Sequence, residues 1–319
     1  MELNLHFFVP DDSTPEDIKM IKACPCGGVM ETMQEKEERM RRQEVNKMKT
    51  ISILNLKGGV AKTFTAVNMA YELYRRGYKV LLLDNDKQGN LSKAYGRYDA
   101  ESVAPITRLL SGDWVQPEEI IQKTDYEGID IVTANMSLFG ATWNLTREES
   151  KNQLLRYEQL GKAKIGYYGD CTVWGKYDYC IIDNPPDIGL NVVNALVATD
   201  EVIVPVKIDE WALEGLDMLE DQVKEARQFN PSLYIKGIIV AAYQNTDGEA
   251  AGYEWLERKM KKEVGTGVYS KDFILWTVRY SRKVAESTFL SKPIYEYSPC
   301  CGAAQDYKKF VTQYTGKGR

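Results

Sequence analysis

The sequence predicts an α/β protein with a doubly wound, mostly parallel sheet and helices on both faces. Three observations carry this. Short apolar runs are almost uninterrupted, as strands buried on both sides require. Amphipathic stretches separate them, so that strand and helix alternate. A glycine-rich turn joins the first run to the first helix, at the strand end where such sheets bind ligands. In order, the strand candidates are TISILN, KVLLLDND, IDIVTA, YDYCIID, EVIVPVKI, YIKGIIVAAY and FILWTV. Between them, AKTFTAVNMAYELYRRG and ALEGLDMLEDQVKEARQF have apolar positions at helical spacing. No repeat of fixed period interrupts the alternation.

At 319 residues and 44% hydrophobic content, the chain is long and apolar enough to bury a large core. Residues 1–47 read differently from the remainder. Thr14-Pro15-Glu16 is a helix start, and METMQEKEERMRRQEVNK is helical by propensity but has almost no apolar face. The expected organisation is a charged, partly helical extension over 1–47 and one domain over 48–319. A net charge of −5 excludes a uniformly basic coat but leaves room for a local basic face. No apolar run is long enough to span a bilayer, and the first residues lack the pattern of a signal peptide. The six cysteines, Cys24, Cys26, Cys171, Cys180, Cys300 and Cys301, are too sparse for a disulfide scaffold. Their spacing fits no common zinc signature, so reduced thiols in a cytoplasmic protein are expected.

The stretch ILNLKGGVAKTFTAVNMA, Ile53 to Ala70, resembles a phosphate-binding loop but departs from G-x-x-x-x-G-K-[ST]. Counting back from Lys62 and Thr63, Ala61 and Leu56 stand where glycines belong. Gly58 and Gly59 follow a second lysine, Lys57. The glycines allow a tight turn whose N–H groups approach an anion, and the following helix start adds partial positive charge. Lys62 is expected on the β- and γ-phosphates and Thr63 on Mg²⁺. Ala61 is expected to have helical dihedrals, which would make a glycine there unnecessary. Two strands end in acids: Asp84 and Asp86 in LLLDNDKQGN, and Asp183 in YDYCIIDNPPDIG. Carboxylates at strand ends suit a Mg²⁺-bound water and an attacking water.

These segments together resemble the ParA/MinD-type ATPases with a deviant Walker A motif, ParA partition proteins in particular. KGGVAKT matches K-G-G-x-x-K-[ST]. LLLDNDKQGNLS is similar to the DxDPQGN segment, and YDYCIIDNPP to the Walker B. VIVPVKIDEWALEGLDML, KPIYEYSP and GAAQDYKKF look like later family segments. The resemblance runs from about Met48 to Tyr314. It implies a slow, switch-type ATPase using ATP and Mg²⁺, in which two subunits sandwich two nucleotides. It places Lys57, Gly58, Gly59, Val60, Ala61, Lys62, Thr63 and Phe64 around the nucleotide. Lys57 would cross to the partner's phosphates and Lys62 act in cis. Asp86 would act on the hydrolytic water, and Thr63, Asp84 and Asp183 would serve the metal. Lys87 stands where the family usually has proline, and Phe64 where threonine is common. The nitrogenase iron protein shares the loop but needs cysteines at positions that lack them here.

The resemblance further implies nonspecific DNA binding by the ATP dimer, a nucleoid-associated location and a ParB-like centromere-binding adaptor. From Trp255 to Lys292 the chain has nine basic against four acidic residues, a local excess in an acidic protein. Within it Arg279, Arg282 and Lys283 are the expected DNA contacts. MinD-like relatives bind membranes through a C-terminal amphipathic helix. Here the stripe Tyr307, Phe310, Val311 and Tyr314 is short and is expected to pack on the sheet, so a membrane is not the expected partner. A MinD-like positioning role on a membrane or protein cargo is the alternative.

Overall fold

The computed structural model describes residues 48–112, 117–147, 157, 176–209, 212–264 and 267–316. Met48–Arg319 forms one compact unit. The expectations placed on residues 1–47, including Cys24 and Cys26, and the one on Cys171, lie outside the described residues.

The seven expected strands all form: β1 (Lys49–Ile53), β2 (Val80–Asp84), β4 (Ile129–Val132), β5 (Tyr179–Asp183), β6 (Glu201–Val206), β7 (Tyr234–Tyr243) and β8 (Tyr269–Arg279). A two-residue strand, β3 (Gln122–Lys123), joins them. The order across the sheet is β3-β4-β2-β5-β1-β6-β7-β8, and only the β3–β4 pair is antiparallel. The chain moves from β1 to β2, returns through β5 between them, and continues to β6 on the other side. The carboxyl ends of β2, β5, β1 and β6 therefore lie side by side at the point where the winding reverses, the place where such sheets bind ligands.

Period-two alternation with both faces covered explains the apolar strand sequences. In β2, Val80 and Leu82 join the core under one face while Leu81 and Leu83 join the core under the other. The first face is covered by helix α1 (Lys62–Arg75) and the C-terminal helix α11 (Gly302–Thr315). The second is covered by α3 (Pro105–Ser111), α5 (Ser137–Leu145) and α6 (Leu190–Ala198). Helices α7 (Ala212–Ala226) and α8 (Asp247–Glu263) cover β6–β8 around a third core. Short helices α2 (Asn90–Ala94), α4 (Pro117–Ile120), α9 (Arg282–Phe289) and α10 (Ile294–Tyr297) complete the described set.

The C-terminal stripe packs on the sheet as expected. Tyr307, Phe310 and Val311 are fully buried and Tyr314 nearly so. Two hydroxyls fix the helix: Tyr307 bonds the Thr65 hydroxyl at 2.8 Å, and Tyr314 donates to Glu201 at 2.5 Å. Glu201 also accepts from Lys49 at 2.7 Å and Tyr234 at 2.6 Å, and these donors hold its carboxyl below the usual range against burial. Among the described residues, no helix is long and apolar enough to cross a membrane.

Candidate nucleotide site

The loop leaving β1 is fixed before it turns. Asn55 donates its Nδ2 to the Pro205 carbonyl of β6 at 2.7 Å, and its Oδ1 accepts the Lys57 N–H at 2.9 Å. The loop then makes two left-handed residues, Gly59 at φ 71° and Ala61 at φ 72°, ψ 30°. The expectation of helical dihedrals at Ala61 is therefore corrected. The missing glycine is missed: Ala61 occupies a left-handed conformation that its Cβ disfavours. Helix α1 begins at Lys62 with no side-chain cap, which leaves its first N–H groups without a capping side chain, as an anion site requires.

Lys62 is buried, and its Nζ donates to the Lys57 carbonyl at 2.9 Å. Burial lowers its pKa, while Asp183, Asp86 and Asp187 oppose the shift. Lys57 points elsewhere: its ammonium pairs with Asp209, just beyond β6, and both groups are more than a third exposed. The two lysines thus do different things, one buried inside the loop and one at its rim. Val60 is buried, and the Phe64 ring packs edge-on against Tyr307 with centroids 5.6 Å apart.

Asp84 and Asp183 are register partners on adjacent parallel strands, and both are sealed from solvent. Asp84 accepts from the Ser92 N–H at 2.8 Å, the Ser92 hydroxyl at 2.7 Å and the Asp86 N–H at 3.2 Å. It ties down the turn that carries Asp86, and burial pushes its carboxyl up to about 6. Asp183 is raised well above its ordinary value, by burial and then by Asp84, while the Thr63 hydroxyl hydrogen-bonded to it pulls the other way. Its Oδ1 is buried without a hydrogen-bond partner. An orphaned acidic oxygen beside a threonine hydroxyl fits a cation bound between them. Among the described residues no group of three His, Cys, Asp or Glu side chains could hold a metal alone. The donor set suits Mg²⁺ that takes its remaining ligands from phosphates and water. Asp86 is only partly buried, its Oδ1 accepting the Gln88 N–H at 2.9 Å. Lys87 spans from this turn to Asp187 at 3.9 Å and to the Phe139 ring at 5.5 Å.

The structure sorts the expected DNA contacts. Arg279 forms a two-pronged pair with Asp306, Nε and Nη2 each at 2.8 Å, which braces α11 against the end of β8. Lys259 pairs with Asp217 and Glu220. Arg282 and Lys283 open α9, capped by Ser281. Arg282 has no ion pair among the described residues, and Lys283 reaches Glu286 at 2.7 Å. Cys300 and Cys301 are free thiols, as is buried Cys180, whose thiol burial pushes up to about 12. Two features escaped sequence reasoning. One is Asp209 as the partner of Lys57. The other is a set of buried asparagine amides behind the acidic strand ends. Both depend on strand order, which sequence motifs do not carry.

Three comparisons bear on this site. The family described as "AAA domain" matches residues 48–235. The sporulation initiation inhibitor protein Soj of Bacillus subtilis is 33% identical over 85% of this chain and 99% of its own. The chromosome partitioning protein ParA of Caulobacter vibrioides is 29% identical over 86% of this chain and 96% of its own. Among solved structures, apo McdA from Cyanothece superposes with a TM-score of 0.68 at 20% identity, covering 84% of this chain and 100% of that one.

Proposed function

Because this chain belongs to the ParA family of P-loop ATPases, we propose that it uses ATP as a switch for self-association and thereby for DNA partition. ATP and Mg²⁺ bind at the β1–α1 loop, and two copies close on two nucleotides. The ATP dimer binds duplex DNA without sequence preference, and slow hydrolysis releases it. The cargo would be a plasmid, chromosome or integrative element held by a ParB-like adaptor, in the cytoplasm on the nucleoid.

The observation that carries this reading is the division of labour between the two loop lysines. Lys62 is buried and directed into the loop, as a phosphate ligand in cis requires. Lys57 stands at the rim on an exposed pair with Asp209, a contact that costs little to exchange. A lysine so placed suits the phosphates of a second copy. The remaining roles follow the geometry. Thr63 and Asp183 would hold the cation, which neutralises charge on the triphosphate. Asp84 holds the turn, and Asp86 orients the hydrolytic water. DNA contact falls to Arg282 and Lys283, with Arg279 occupied by Asp306. The names ParA and Soj borne by relatives support partition. A membrane role has less support, because the C-terminal stripe is spent on packing.

The test is binding to nonspecific duplex DNA with no nucleotide, with ADP, and with ATP under slow hydrolysis. Binding only in the ATP state, falling steeply with salt, is expected. Removal of charge at Arg282 and Lys283 should weaken it and flatten the salt slope by about one unit per lost contact. No binding in any state would remove DNA from the reading and leave the ATP switch in place.

A further inference from the structure

Behind the acidic strand ends lies a group of neutral side chains that the nucleotide chemistry does not use. Asn85 sits between Asp84 and Asp86, and Asn184 directly follows Asp183; both are fully buried. The Asn85 Nδ2 donates to Asn184 Oδ1 at 2.8 Å and to the Asn191 carbonyl at 3.1 Å. Its Oδ1 accepts the hydroxyl of buried Tyr157 at 3.0 Å. Asn191, on α6, returns a bond from its Nδ2 to the Asn85 carbonyl at 3.0 Å. Main-chain bonds continue the set: Asn85 N–H to the Asp183 carbonyl at 2.9 Å, and Asn184 N–H to the Ile53 carbonyl at 3.2 Å. A Cβ at Gly189 would come within 2.5 Å of the Asn191 Oδ1, so the absence of a side chain there makes room for this arrangement.

We propose that Asn85 and Asn184 are positioning residues for nucleotide hydrolysis, their buried amide bridge holding the Asp84–Asp86 turn in fixed register with Asp183. Both Asn85 N–H donors and its carbonyl are used, so the bridge has one orientation. It ties β2 to β5 at the point where Asp84 and Asp183 are register partners, and a saturated, uncharged network fixes their spacing without adding charge to the site. Residues behind a metal site that fix its ligands typically cost about 10–100-fold in metal affinity or activity when replaced. The inference rests on the proposed role of Asp86.

The experiment compares Asn85→Leu, Asn184→Leu and the double variant in thermal unfolding, Mg²⁺-ATP turnover and binding of a non-hydrolysable ATP analogue. Each single change strands a buried amide and should lower Tm. Replacing both amides removes the penalty of the stranded Asn184 group but leaves the Tyr157 hydroxyl and the Asn191 carbonyl unpaired, so it should restore part of the loss. If the bridge positions the acids, kcat falls about tenfold in all three, KM and analogue affinity move less than about threefold, and the double variant regains part of the lost Tm but none of the kcat. Recovery of kcat together with Tm, or unchanged kcat in the singles, would make the bridge merely structural and overturn the inference. Asn85→Ser, which retains a small polar group, gives the same reading should the leucine variants fail to fold. Asp86→Asn in the same assay reports separately on the proposed function: wild-type turnover there would defeat that reading and the inference resting on it, whatever the amide variants do.

Discussion

Replacing Ala61 with glycine should stabilise the nucleotide-free protein, although it puts the most flexible residue immediately before a helix. Ala61 lies at φ 72°, ψ 30°, a conformation that costs an L-residue about 1–2 kcal/mol. Glycine has no such cost but loses more backbone entropy on folding, about 0.5–1 kcal/mol relative to alanine. The main-chain bond from the Thr65 N–H to the Ala61 carbonyl, 2.9 Å, uses no side-chain atom and is retained. The net expectation is a gain of about 0.5–1 kcal/mol, or about 1–4 °C in Tm for a domain of this size. Guanidinium unfolding without nucleotide would read it, with an unchanged m-value as the sign that only native stability has moved. Ala61→Val is the counterpart: a β-branched residue at positive φ should cost more than alanine does. If Ala61 were helical, glycine would instead destabilise by about 1 kcal/mol. A loss of that size would refute the left-handed assignment.

Three further outcomes are expected. Ser291, at φ 51° just beyond α9, occupies a helix C′ position that favours glycine; Ser291→Gly should add about 0.5–1 kcal/mol in the same unfolding assay, and a loss would contradict the geometry. Burial raises the Asp84 carboxyl from its ordinary 3.8 to about 6, so the fold favours its neutral form and stability is lost as pH rises between those values. Unfolding of the wild type and Asp84→Asn, without nucleotide, should therefore show the wild type losing about 1.4 kcal/mol relative to the variant between pH 5 and pH 7, and a constant difference would refute the shift. Asp209→Asn should change monomer stability by less than about 1 kcal/mol, because the pair with Lys57 is exposed. It should also strengthen ATP-dependent self-association measured by light scattering, whereas weakened association would assign Asp209 to the interface instead.

Much of the fold was legible because burial on both faces leaves a strong local trace. The seven apolar runs all became strands, and Val80 to Leu83 show why: every side chain enters one core or the other. Gln122–Lys123 left no such trace, since a two-residue antiparallel edge needs neither apolar side chains nor a turn signal. At the site, the order of the loop and the two acidic strand ends was readable because each belongs to one strand and the turn after it. Ala61 was misread for a different reason. Identity constrains φ only statistically, and alanine carries no mark of being held left-handed by the loop around it.

The remaining gaps concern partners distant in sequence, and they change what a charge means. Lys57 meets Asp209 only because β6 lies beside β1, and Asn85 meets Asn184 only because β5 lies between β2 and β1. Arg279 makes the point most sharply. Counted along the chain, it belongs to a basic stretch; in the fold, Asp306 takes both prongs of its guanidinium. Breaking that fork to reach a phosphate would exchange one charge-assisted pair for another and leave Asp306 uncompensated at the junction of α11 and β8. Arg282, exposed at the start of α9 and without an ion pair among the described residues, pays no comparable penalty. If DNA is the ligand, Arg279→Ala should therefore act chiefly on Tm and Arg282→Ala chiefly on DNA affinity. The reverse pattern would mean that the fork opens on binding and that the local count of charges was the better guide.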